Sequence, residues 1–140
     1  MPSAVRVPEP LVVARRLLLS GDHLVLLDAD LADLFGVPVE RLVEVILHSK
    51  PKIPVEFAFF LEPNEIQNLV PRIRASHRSA DRKRLLAFTE HGVIAVATRL
   101  KSARAVEISI AIVRVFVKLR EEDGLLALMT PRFPSHRELH

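Results

Sequence analysis

Apolar positions along the chain follow two rhythms, and each change of rhythm marks a change of element. The runs Leu11–Leu19 and His23–Leu27 are dense in aliphatic residues and flank Ser20-Gly21-Asp22. That arrangement predicts a β-hairpin, with Gly21 and Asp22 suited to the positive φ of a tight turn. Asp28 then reads as the N-cap of a short helix from Ala29 to Phe35, with Asp30 in its first turn and Gly36 placed to end it. Pro38 suits the start of a second helix over residues 39–49, whose apolar stripe is Val39, Leu42, Val43 and Ile46. Two short helices joined at Gly36-Val37-Pro38 have the outline of a helix-turn-helix.

Pro51 and Pro54 close that unit, and Phe57–Leu61 reads as a buried strand. A brief helix is expected from Glu62 towards Val70, and a further strand at Leu85–Phe88. If the two strands pair, the segment between them projects as a wing-like excursion. Thr89 and Ser102 are N-cap residues for two more helices, about Glu90–Leu100 and Ala103–Glu122. The last helix is apolar almost all round, with Arg104, Glu107, Arg114 and Lys118 on one narrow stripe. Such a helix lies centrally in a core or packs against a second copy. The predicted class is therefore α+β: an N-terminal β-hairpin, a helix-turn-helix-like pair, short central strands and a C-terminal helical pair. Residues 1–10, with three prolines, read as a flexible arm, residues 11–122 as the domain and residues 123–140 as a tail.

Charge changes the picture. The chain carries a net +3, but residues 1–71 sum to −4, residues 72–120 to +9 and residues 121–140 to −2. The concentration peaks at 72–84, where Arg72, Arg74, Arg78, Arg82, Lys83 and Arg84 face one acid, Asp81. A positive segment of this density suits a polyanion, most simply nucleic acid, although a solvated loop can have the same composition. Arg99, Lys101 and Arg104, at the junction of the last two helices, either extend that surface or are merely solvated.

Composition narrows the chemistry. With no Cys, disulfide scaffolds, thiolate metal sites and cysteine nucleophiles are excluded. With no Trp or Tyr, the usual stacking platforms for single strands are missing, so duplex is the expected form of nucleic acid. The six His are scattered without metal-ligand spacing, and Asp28, Asp30 and Asp33 fit the solvated first turn of a helix better than a metal cluster. No catalytic constellation, cofactor motif or small-molecule site is found, and none is expected. The Thr89-Glu90-His91-Gly92 turn could offer helix N–H groups to a phosphate, but a cap with a glycine for close packing is the simpler reading. No apolar run reaches signal-peptide or membrane-span length, so a cytoplasmic location is expected.

The order of these segments resembles a known family. Leu26-Leu27-Asp28-Ala29-Asp30-Leu31-Ala32-Asp33-Leu34-Phe35-Gly36-Val37 is similar to the start of the phage ORF-six-N domain, a KilA-N-related DNA-binding module. The likeness continues at Ile53–Phe59, Leu86–Ala95, Ala103–Ile108 and Ile112–Arg120, covering about Gly21 to Arg120. The resemblance implies a DNA-binding domain of phage or mobile-element regulators, often antirepressor-like, without enzymatic activity.

Within that expectation one element departs. Around the second helix, Glu40, Arg41, Glu44, Leu47 and His48 fall outermost. Two carboxylates and a Leu make a poor groove reader beside phosphates, which shifts the expected contact to the basic segment. The sequence thus points to a non-enzymatic DNA-binding regulator touching phosphates through Arg72, Arg74, Arg78, Arg82, Lys83, Arg84, Arg99, Lys101 and Arg104. The rival reading is a protein-interaction module, dimerising through the apolar last helix or capturing a regulator, that does not itself bind DNA.

Overall fold

The structure, a computed structural model, describes residues 6–21, 23–67 and 85–121. It has the mixed α+β architecture expected. Four strands, β1 (Leu18–Ser20), β2 (His23–Leu27), β3 (Ala58–Phe60) and β4 (Leu86–Phe88), form one antiparallel sheet in the order β1-β2-β4-β3. Helices α1 (Pro10–Arg16), α2 (Asp28–Phe35), α3 (Val39–His48), α5 (Glu90–Leu100) and α6 (Ala103–Glu121) surround it. A further helical stretch, α4, is described over residues 63–67.

The first apolar run corrects the expectation of a long strand. Residues 10–16 are helical and only Leu18–Ser20 pair with β2. Pro10 occupies the first helical position, where its missing N–H costs nothing, and Arg15 and Arg16 lie in the last turn, where cations favour the helix dipole. Val13 and Leu17, four apart, are both fully buried, a helical spacing hidden inside a run that also reads as β. The hairpin itself forms as expected, with Gly21 at φ 61.

The sheet has two buried faces because its side chains alternate. Leu26, Ala58, Leu86 and Phe88 point into the main core with residues of α1, α2, α3, α5 and α6, while Val25, Leu27, Leu85 and Ala87 join Leu18 and Leu61 on the other face. β3 is an edge strand and is less buried than its apolar run implies. The pairing of β3 with β4 brings the two ends of the 62–84 connection together, where the Leu61 N–H donates to the Leu85 carbonyl at 2.9 Å.

Asp28 and Asp30 are not solvated, as the sequence had implied, but 0% and 2% exposed. Helix α2 begins at Asp28 itself. One Asp28 oxygen accepts from the Ala29 N–H at 2.7 Å and the other from the Leu86 N–H at 3.4 Å. The carboxylate thus continues the β2–β4 ladder at the point where β2 turns into helix. Arg16 serves the other two acids, with Nη1 2.7 Å from Asp33 Oδ2 and Nε 3.8 Å from Asp30 Oδ1.

Candidate nucleic-acid interface

Helices α2 and α3 are joined by Gly36-Val37-Pro38, and Gly36 adopts φ 73, ψ 34. That left-handed conformation strains any residue with a Cβ, so Gly ends α2 and frees the chain to reverse. The outer face of α3 is as expected: Glu40, Arg41, Glu44, Leu47 and His48 are all exposed, with Leu47 at 62%. Arg41 lies 3.5 Å from Glu44, so the cation on this face is already offset. The buried residues of α3 are Leu42 and Val45, whereas Val39, Val43 and Ile46 are only half-buried. Val39 and Ile46 still pack against the core beside Leu42, so the predicted stripe holds except that Val45 joins it in place of Val43. Val43, with the outer side of Val39, lines a groove of about 690 Å³ with Ala32, Asp33, Glu44 and Leu47. This face is acidic and apolar, which repels a phosphate backbone.

Of the predicted contact residues, Arg72, Arg74, Arg78, Arg82, Lys83 and Arg84 lie outside the described residues. Arg99, Lys101 and Arg104 are described and play different parts. Arg99 is half-buried; its Nη2 donates to the Pro51 carbonyl at 3.1 Å and its Nη1 to the Ala95 carbonyl at 3.2 Å. It ties the end of α5 to the segment that follows α3. Lys101 is exposed and adopts φ 56, ending α5 in the left-handed region. Arg104 is exposed and its guanidinium lies over the α2–α3 turn: a Cβ at Gly36 would stand 2.9 Å from Nη2. The carbonyls at the end of α2 favour a cation there.

The sequence reading passed over Lys50 and Lys52, both exposed beside the end of α3 and on either side of Pro51. The signal was present, since basic residues favour the C-terminal end of a helix. Apart from Arg41, which is paired with Glu44, the described basic groups near α3 thus lie at its two ends rather than on its outer face.

The Thr89–Gly92 turn is structural. Thr89 Oγ1 accepts from the Gly92 N–H at 3.3 Å and donates to the Phe57 carbonyl at 3.1 Å. Glu90 pairs with Arg120, and that hydrogen-bonded carboxylate holds the guanidinium pKa above its ordinary value. The His91 ring stacks on Phe57 with centroids 5.1 Å apart. Among the described residues no group of His, Asp and Glu could hold a metal ion, and no helix is long and apolar enough to cross a membrane.

An antiparallel four-stranded sheet interrupted by a helix-turn-helix-like pair and followed by a helical pair defines the structural class. The sequence matches the ORF6N domain over residues 17–99, more than half the chain, and the protein belongs to that family. No curated protein and no solved structure matches it. Helix α6 lies beyond the matched residues.

Proposed function

We propose that the protein is a non-enzymatic, phage-type regulatory domain that binds duplex DNA by its phosphates. The positive charge of residues 72–120, set against a negative sum before it, carries this reading. The Leu61–Leu85 hydrogen bond beside the β3–β4 pair holds the two ends of the 62–84 connection together, and its first residues stay on the fold, with Ile66 against the second core cluster and Glu65 bonded to Ser20. A basic segment between two fixed ends can follow a phosphate backbone, supplying affinity and orientation without base readout. Lys101 and Arg104 add to it. The acidic face of α3 stays out of the groove. Phosphate recognition of this kind fits the phage or mobile-element regulatory role of the family and a cytoplasmic location.

The test is electrophoretic mobility with random duplex at low and moderate salt, repeated for a variant with Arg82, Lys83 and Arg84 replaced by Ala. Neutralising three phosphate contacts flattens the dependence of log K on log[salt] by roughly 2 to 3. An unchanged slope removes this segment from the interface. Absence of any retardation at low salt favours the second reading, a protein-interaction module, for which exposed Leu47 and the α2–α3 groove are the supporting observations.

A further inference from the structure

Helix α6 was expected to be apolar nearly all round, and the structure divides that surface in two. Ala105, Ile108, Ser109, Ile112, Val115, Phe116 and Leu119 are buried against the domain. Val106 and Ile110 remain 45% and 46% exposed, and Val113 and Val117 are only half-buried. These four residues are spaced four, three and four apart, so they fall within an arc of about 60° at 100° per residue. That is the a/d spacing of a coiled-coil seam, and all four side chains are β-branched. Helix α1, which packs against α6, also leaves Leu11 and Val12 55% and 39% exposed.

We propose that two copies of the chain associate through this seam, with their α6 helices antiparallel about a two-fold axis. Such an axis near residues 111 and 112 forms four layers: Val106 on the partner's Val117, Ile110 on the partner's Val113, and the two symmetric repeats. Each residue then meets the counterpart that its own equivalent meets, as an isologous contact requires. The charges on the seam's polar flank select this direction. Glu107 and Arg114, both exposed, occupy equivalent positions beside the seam one heptad apart. Antiparallel packing sets Glu107 against the partner's Arg114 and repeats the pair across the axis. Parallel packing would set them against Ser102 and Ser109, which carry no charge, and Ser109 is already buried in its own core. Opposite charges at flanking positions fix partner and direction in helix pairs. A second copy is therefore the occupant whose chemistry matches this face on both its apolar and its charged sides. A seam of four layers sits at the small end of specific interfaces. The dissociation constant expected is in the micromolar range, about 10⁻⁶ to 10⁻⁵ M.

Sedimentation equilibrium of the full chain over a concentration series tests this, with far-UV circular dichroism confirming that each variant is folded. The wild type should show a reversible monomer–dimer equilibrium. Ile110→Asp, at an exposed position, should weaken it by at least ~30-fold, since a buried unpaired carboxylate opposes association. Glu107→Arg should weaken it by ~10-fold by placing like charges together, and the double variant E107R/R114E should return to within about twofold of wild type. A wild type that stays monomeric at about 200 μM, far above the expected constant, overturns the proposal. So does a dimer indifferent to Ile110→Asp. A double variant no stronger than Glu107→Arg alone overturns the antiparallel register.

Discussion

Replacing Gly92 by Ala probes the joint between α5 and the sheet. A Cβ there would stand 2.1 Å from the Phe57 carbonyl oxygen and 3.0 Å from its carbon. Unbonded heavy atoms do not approach so closely, so the Phe57 peptide must retreat by about 1 Å. That same oxygen accepts from the Thr89 N–H at 3.0 Å and from the Thr89 hydroxyl at 3.1 Å. Losing both hydrogen bonds costs about 2 kcal/mol, at ~1 each. Overpacking a rigid backbone contact adds about 1–3 kcal/mol. Better helix propensity of Ala returns about 1 kcal/mol. The net expectation is a loss of about 2–4 kcal/mol of unfolding free energy, read from urea denaturation followed at 222 nm with m unchanged. A Gly92→Ala protein within ~0.5 kcal/mol of wild type, the scatter of an ordinary surface substitution, would refute the argument.

Two further pairs of substitutions assign roles to individual arginines. Arg16→Ala leaves the Asp30 carboxylate buried without this cation and should cost about 2–3 kcal/mol. Asp33→Ala removes only the partner that is 43% exposed and should cost under ~1 kcal/mol. Denaturation midpoints in the reverse order would contradict the assignment of Arg16 as the clamp for Asp30. Arg99→Ala should lower stability by about 1–2 kcal/mol through its bond to Pro51 while leaving the salt slope of DNA binding unchanged. Arg104→Ala should do the opposite, reducing that slope by about 1. Titration of both variants with duplex across a salt series, beside thermal melts, distinguishes the two arginines.

What the sequence disclosed were features decided by neighbours a few residues away. Gly36 ends α2 because a left-handed residue is needed within one turn, and Thr89 and Ser102 cap because their hydroxyls reach the N–H groups three residues on, at 3.3 and 3.0 Å. The two short apolar runs that form β3 and β4 are visible as strands, while the pattern leaves their antiparallel pairing open. Features decided by distant partners stayed hidden. Asp28 looked like a solvated cap because its second acceptor role is to the N–H of Leu86, 58 residues away. The run from Leu11 to Leu19 looked like one strand because the pattern within it cannot show that Val13 and Leu17 share a buried face. Arg99 looked like a surface cation until the Pro51 carbonyl, 48 residues earlier, was placed beside it.

For the proposed DNA binding, the arrangement of charge restricts the approach. Arg104 lies over Gly36, and Glu40 follows one helical turn later on the exposed face of α3. A phosphate drawn to Arg104 therefore approaches a carboxylate if it advances along α3, and meets Glu44 a further turn on. Lys50, Lys52 and Arg99 at the far end of α3 are separated from Arg104 by that acidic stretch. A backbone cannot run favourably along the helix, as it does when a second helix of such a pair reads a groove. In the proposed complex it crosses at one end, beside Arg104. On that proposal affinity comes chiefly from cations outside the helix pair, and the six at 72–84 are the largest such group in the chain. The helix-turn-helix outline survives as architecture. Its usual reading surface has been given over to acidic and apolar side chains, which suit a protein partner better than a nucleic acid.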